Sequence, residues 1–299
     1  MTERQPAAGA EVELLEQLDP ALTRLIRQRK ETGGVTIVIP TWNHREFLPR
    51  AIRSALTALD RLADSGFAGE LLVIDDASRD GTHRLLRSAE VALNDPRLLT
   101  VFLDHNVGLP RARNLGLGLA RFRYALMHDA DNELVPENLP VFVESIAATS
   151  AAFVHGNLLV RSGGEVVGLR SAEVASARLY DLNYLDAFAL VDAERILELG
   201  GYTTNAELAG WEDWELVLHL LAEEERLVFV PVTMGWYDRV PDSMSRQLSP
   251  QKEARLAVLR RMYQQSGPRD WLPFELGGIY HPATGFLQQA GAGSDDDSD

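Results

Sequence analysis

The sequence predicts an α/β fold in which a mostly parallel central sheet carries flanking helices. Two observations predict it. Short β-branched, apolar runs alternate through the first half with stretches whose apolar residues recur at helical spacing, the pattern of strand–helix–strand crossovers. Three of these runs also end directly in polar motifs: Pro40-Thr41-Trp42-Asn43, Asp75-Asp76-Ala77-Ser78 and Asp129-Ala130-Asp131. Parallel sheets bind ligands outside the carboxyl ends of their strands, so motifs placed there can converge on one crevice.

The elements follow in order. Residues 1–10 read as disordered. Leu14, Leu15, Leu18, Leu22, Leu25 and Ile26 recur at helical spacing, which predicts an amphipathic helix over 11–30, divided by Pro20 and ended by Gly33-Gly34. It is expected to be an appendage on the core or a dimerisation or partner helix. Val35-Thr36-Ile37-Val38-Ile39 is a β-branched run stopped by Pro40, hence a central strand. Phe47, Leu48, Ala51, Ile52, Ala55, Leu56 and Leu59 fit one helix face. Strands are expected at 71–74, 98–103 and 124–128, and helices at 82–91 and 110–122. A hairpin around Gly163-Gly164 joins 153–160 to 166–169, followed by helices at 192–199 and 212–225, a strand at 227–232 and a helix at 250–265. Without a repeat or a Pro-rich linker, one domain over 33–248 is expected. It is flanked by a helical extension (1–32), a helix and aromatic-bearing extension (249–290) and a disordered acidic tail (291–299).

The 299 residues carry a formal charge of −15, which argues against nucleic acid as the main partner, because phosphate backbones are bound by clustered Lys and Arg. There is no cysteine, so disulfides and Cys-based zinc sites are excluded. The N-terminus has no apolar signal region, and no apolar run approaches the ~18–20 residues that a membrane helix requires. A cytoplasmic protein without a membrane span is expected.

The ordered motifs are joined by Asn106-Val107-Gly108 running into Ala112-Arg113-Asn114, with Gly116 beyond, and by Trp211-Glu212-Asp213-Trp214. Together they resemble family 2 glycosyltransferases of the GT-A fold over roughly residues 35–245. The resemblance implies an inverting, metal-dependent transfer of a sugar from a nucleotide diphosphate, with a UDP-sugar favoured, to a carbohydrate or other hydroxyl acceptor. It implies Asp131 as ligand to Mn²⁺ or Mg²⁺, hard cations suited to carboxylate and phosphate oxygens. Asp129 then acts through water or contacts the sugar or ribose. Asp76 is implied to accept the N3–H of a uracil-type base, and Pro40, Thr41, Trp42 and Asn43 to line the nucleotide, with the flat Trp42 ring replacing the usual Tyr. Arg113 is implied near the diphosphate crevice, with pairing to a local carboxylate left open. Asp213 is implied as the base that takes the acceptor proton. Its neighbour Glu212 and the apolar Trp211 and Trp214 are expected to raise its pKa.

Two features depart from the family pattern. Many relatives carry a histidine in the segment matching Tyr237-Asp238-Arg239-Val240-Pro241-Asp242-Ser243-Met244; here there is none. Metal binding is therefore expected to rest on Asp131 and phosphate, with Arg239 or Ser243 as alternative phosphate contacts. His128 and His155 have no family role and are expected to be packing or surface residues. A non-catalytic nucleotide-sugar-binding or regulatory module and a sugar nucleotidyltransferase are the runner-up readings. A nicotinamide oxidoreductase is rejected, because the turn after the first strand lacks G-x-G-x-x-G.

Overall fold

The computed structural model describes residues 30–170, 179, 183–238, 252–263, 278–281 and 285–288. Four parallel strands form the half that carries the motifs, in the order β3 (Leu98–Phe102), β2 (Ala68–Asp75), β1 (Glu31–Thr41), β4 (Phe122–Met127). Beyond β4 the sheet turns antiparallel. The short β8 (Leu190–Asp192) pairs with β4 and with β6 (Phe153–Ser162). β6 forms the expected hairpin with β7 (Glu165–Arg170) and pairs in parallel with the long β9 (Leu227–Asp238), which also holds β5 (Glu133–Leu134). A hairpin of β10 (Gly278–His281) and β11 (Gly285–Gln288) extends the β7 edge.

β1 is buried on both faces from Gly34 onward, which is why it reads as a continuous apolar run. Ile37 and Ile39 face a layer built by α1 (Leu48–Asp64), α2 (Thr82–Leu93) and α4 (Leu139–Thr149). Val38 faces the other layer, built by α3 (Leu109–Leu119), α5 (Ala193–Glu198), α6 (Glu212–Ala222) and α7 (Lys252–Met262). The sheet is thus sandwiched between two helical layers. No helix among the described residues is long and apolar enough to cross a membrane.

Several boundaries differ from the sequence reading. Gly33-Gly34 does not end a helix. The strand begins at Glu31, and a Cβ on Gly34 would lie 2.5 Å from the Phe122 ring and 2.7 Å from the Ala68 carbonyl, so the glycine serves close strand packing. β1 also runs one residue past Pro40, to Thr41. α4 was not expected: Pro140 falls in its first turn, where no N–H partner is needed, and helps start the helix. Most of the expected helix 11–30, the tail 291–299, Arg239 and Ser243 lie outside the described residues.

Register sets the site. Thr41 pairs with Asp75, and Asp75 with Phe102, so the loops after β1, β2 and β3 leave the sheet at one level. The His128 N–H bonds the Val38 carbonyl at 2.9 Å and brings the acidic turn after β4 beside them. α3 crosses above these strands, and Gly116 lets it approach: a Cβ there would lie 2.3 Å from Val38 Cγ1. Gly116→Val is therefore expected to overpack this contact and destabilise the fold by about 2–3 kcal/mol. Chemical denaturation checks it through a lower midpoint at unchanged slope; an unchanged midpoint contradicts the close approach.

Candidate active site

The loops after β1, β2 and β3 are laced together by short bonds. Asn43 adopts a left-handed conformation at φ 59°, its N–H donates to Ser78 Oγ (2.9 Å), and its Oδ1 accepts from the Arg79 N–H (2.8 Å). The Thr41 carbonyl accepts from the Asp76 N–H (2.9 Å). Trp42 is 50% exposed, so its ring is available to a ligand and is not a core aromatic. The Asp76 carboxylate accepts from the backbone N–H groups of Val107 (2.7 Å) and Gly108 (3.0 Å). Burial raises its pKa, against the pull of those two bonds. The Asn106-Val107-Gly108 motif therefore clamps the aspartate, and each oxygen keeps a lone pair for a further donor.

The second half of the site is built on one buried cation. Arg113, on the second turn of α3, donates from Nη2 to Asp129 Oδ1 (2.9 Å) and from Nη1 to Glu212 Oε1 (3.1 Å). Burial opposes its charge, and the surrounding carboxylates, Asp129 and Glu212 foremost, more than offset that, so its pKa is raised. The acidic turn after β4 and the first turn of α6 are thereby held to the same side chain. Asp131 and Asp213, their neighbours, both lie within the electrostatic reach of Asp186. Burial, and then the charges of Asp129, Asp186 and Asp238, push Asp131 up to about 7. Burial and Glu212 push Asp213 up to about 7, with Arg113 acting in the opposite sense. Asp213 Oδ1 accepts the Trp214 N–H (2.7 Å), and Asn183 Nδ2 lies 3.4 Å from both of its oxygens. The rings of Trp211 and Trp214, 4.9 Å apart, flank it in sequence.

Asn114 belongs to the Ala112-Arg113-Asn114 motif, whereas the contacts of Arg50, Arg161, Arg170 and Asn183 were not signalled by the sequence. Asn114 holds the backbone of Tyr202 from both sides: Nδ2 donates to its carbonyl (2.9 Å) and Oδ1 accepts its N–H (2.7 Å). Arg50 donates to the Asp131 carbonyl (2.9 Å) and pairs with Asp238, which also binds Arg161 at 2.8 Å. Arg170 donates to Asp186 at 2.6 Å. No local motif marks Asn183 or Asp186; they reach the cleft only through the long return from β7 to β8. His128 and His155 are packing residues, as expected. His128 stacks on Phe188 (4.9 Å) and donates from Nδ1 to the Asp129 carbonyl (2.8 Å), and His155 lies between Phe153 and Phe229. Burial lowers both to about 4, so both rings are neutral at pH 7.

A family model described as glycosyl transferase family 2 matches residues 36–194, more than half of the chain. The chain belongs to this family. It is 37% identical over 128 residues to succinoglycan biosynthesis protein ExoO of Rhizobium meliloti, covering 43% of this chain and 34% of that protein. It is 33% identical over 135 residues to the putative colanic acid biosynthesis glycosyl transferase WcaA of Escherichia coli, covering 45% and 46%. The alignments thus span between a third and a half of these family 2 relatives. Among solved structures, S. aureus TarS 1–349 in complex with UDP-GlcNAc superposes with a TM-score of 0.59 at 16% identity, covering 76% of this chain and 66% of that one. The mannosyltransferase PcManGT from Pyrobaculum calidifontis, in complex with GDP-Man and Mn²⁺, gives 0.60 at 18%, covering 88% and 74%. These likenesses establish a GT-A fold.

The raised pKa of Asp213 predicts a stability profile. In the unfolded chain this carboxyl titrates near its ordinary value of 3.8, and in the fold at about 7. The fold favours the neutral acid, so the contribution is complete below the unfolded value and is lost as pH rises through 7. The melting temperature of the ligand-free protein is expected to fall between about pH 4 and 7. Asp213→Asn, neutral throughout, is expected to fall less and to melt above wild type at about pH 8. Parallel profiles for the two proteins contradict the assignment.

Proposed function

We propose that the chain transfers a sugar from a nucleotide diphosphate donor, with UDP favoured, to a carbohydrate or other hydroxyl acceptor, with inversion at the anomeric carbon. Residues 33–248 form the catalytic unit in this reading. The observation that carries it is the Arg113 bridge, which draws the Asp129–Asp131 turn and the Glu212–Asp213 turn to one guanidinium. One cleft then offers a carboxyl for the diphosphate side and a separate carboxyl poised near neutrality for the acceptor side.

In the proposed reaction the acceptor hydroxyl gives its proton to Asp213 as its oxygen bonds to the anomeric carbon. The bond from that carbon to the diphosphate oxygen breaks on the opposite side, and its electron pair leaves with the nucleotide diphosphate. One positioned carboxylate suffices, without a covalent intermediate. Asn183 and the Trp214 N–H orient Asp213, and Glu212 is the anchor, taken up by Arg113. On the donor side Trp42 offers a face to the base and Asp76 accepts its N–H, from loops already tied together. Arg113 positions Asp129 and reaches the phosphates only through it.

A divalent cation, Mn²⁺ or Mg²⁺, fits the donor side. Asp131 is a hard oxygen donor whose ionisation is opposed by neighbouring carboxylates, so a cation relieves the site. Among the described residues no group of three His, Asp or Glu could hold a metal alone, so Asp131 would hold the cation together with oxygens of the bound nucleotide. When bound, the cation neutralises charge developing on the departing diphosphate.

Two variants separate the roles. Asp131→Ala is expected to weaken nucleotide diphosphate binding by about tenfold or more and to remove its dependence on Mn²⁺. Calorimetry checks this, and unchanged affinity with and without Mn²⁺ contradicts it. Asp213→Asn is expected to bind the donor like wild type while turnover on the true acceptor falls about 10²–10⁴-fold. In the wild type kcat/KM rises with pH through a limb near 7, where the base loses its proton. Turnover of the Asp213→Asn variant within a few-fold of wild type places the base elsewhere.

A further inference from the structure

The turn that carries Asp131 is gripped by one face of α1. Arg50 lies in the first turn of that helix and Ser54 one turn further on, so their side chains are neighbours on its surface. Arg50 Nη2 donates to the Asp131 carbonyl (2.9 Å), and its Nε lies 3.5 Å from Glu133 Oε2. Ser54 Oγ accepts the Leu134 N–H (3.2 Å). Asp131, Glu133 and Leu134 are thereby tied to α1, beginning with the backbone of Asp131 itself.

We propose that Arg50 is the positioning residue of the donor side: its bond to the Asp131 carbonyl fixes the carboxylate that meets Mn²⁺ or Mg²⁺, and Arg161 holds in place the carboxylates against which Arg50 is braced. This rests on the reading of Asp131 as the carboxylate for the cation.

Arg50 acts here through geometry more than through charge. It pairs with Asp238, at the end of β9. Arg161, on β6, donates to both oxygens of Asp238 (2.8 and 3.1 Å) and to Glu133 Oε2 (2.8 Å), and is held 4.8 Å over the Trp236 ring. Two guanidinium groups and two carboxylates, from α1, β5, β6 and β9, thus neutralise one another. What Arg50 adds at Asp131 is a hydrogen bond to the backbone. Asp131 requires such a hold. Burial and the charges of Asp129, Asp186 and Asp238 oppose its ionisation, so a loosely held carboxylate would move away from them. A fixed backbone keeps its oxygens where a cation can use them, and the ordering cost is met before the cation arrives. Groups that orient a metal ligand commonly tune metal affinity by about 10–100-fold.

The test uses the full chain and measures calorimetric affinity for UDP and GDP across a Mn²⁺ series, with thermal melts alongside. Arg50→Met is expected to raise the Mn²⁺ concentration that half-saturates the nucleotide response about tenfold, while affinity without metal stays within about twofold of wild type. The response to Mn²⁺ is shifted but kept, unlike in Asp131→Ala. Arg161→Met takes a partner from the same two carboxylates but leaves the Asp131 carbonyl bonded. It is expected to lower the melting temperature with half-saturation within about twofold of wild type. Arg50→Lys, a cation without the planar fork, is expected to fall between wild type and Arg50→Met. The rising limb of kcat/KM near pH 7 stays in place in all three, because burial, Glu212, Arg113 and Asp186 set the charge on Asp213. A wild-type half-saturation in Arg50→Met, whatever its melting temperature, overturns the proposal, and so does an equal shift in Arg161→Met. If Arg50→Met does not fold, Arg50→Lys decides, and a wild-type half-saturation there overturns it as well. If nucleotide affinity of the wild type itself does not respond to Mn²⁺, the reading of Asp131 falls, and this inference with it.

Discussion

The buried guanidinium of Arg113 is the constraint on which the cleft depends. A cation removed from water is costly unless paired, and here two carboxylates from distant segments supply the pairing. The arrangement works in both directions. Asp129 and Glu212 are held because Arg113 cannot be left alone, and Arg113 stays buried because both are present. The next residue repeats the device with a neutral group: Asn114 binds both backbone polar groups of Tyr202 and fixes the loop before α6. Gly116 allows the helix that carries both residues to rest on β1 and β2. One short run of α3 thus sets the distance from the sheet, the acidic turn after β4 and the approach to α6.

That bridge also divides labour between adjacent carboxyls. Glu212 takes the Arg113 bond and is committed to structure. Asp213, one residue on, accepts among the described residues only the Trp214 N–H and the long Asn183 contacts, and burial beside Glu212 keeps its proton until near neutral pH. Two carboxyls side by side in sequence thereby acquire different tasks from different surroundings. The donor side has a parallel: Asp129 is paired, and Asp131 is left in a field of like charge that a cation and phosphates would complete.

Much of this was legible in the sequence, for physical reasons. β1, β2 and β4 are buried on both faces, so each reads as an apolar run, and the polar motif following it falls at a strand end. That placement puts Asp76 and Asp131 on one edge of the sheet. What was not legible depends on contacts between residues far apart in the chain. Whether Arg113 meets a phosphate or a carboxylate was open, since the answer lies 99 residues away at Glu212. The clamp on Asp76 by Val107 and Gly108, the Arg50–Asp238 pair beside Asp131, and the arrival of Asn183 and Asp186 carry no periodicity or spacing signal. β8 escaped notice because three residues are too short to show alternation, and α4 because its opening proline reads as a breaker.

Arg113 holds the two acidic turns together and sets the charge on Asp213, the proposed base. The direct measurement is the pH dependence of kcat/KM in Arg113→Gln, which keeps a donor at that position but loses the cation. Arg113 lowers the pKa of Asp213, so the rising limb of the variant is expected to move to higher pH than the wild-type limb, with a lower plateau. A variant whose limb and plateau coincide with those of wild type contradicts the account.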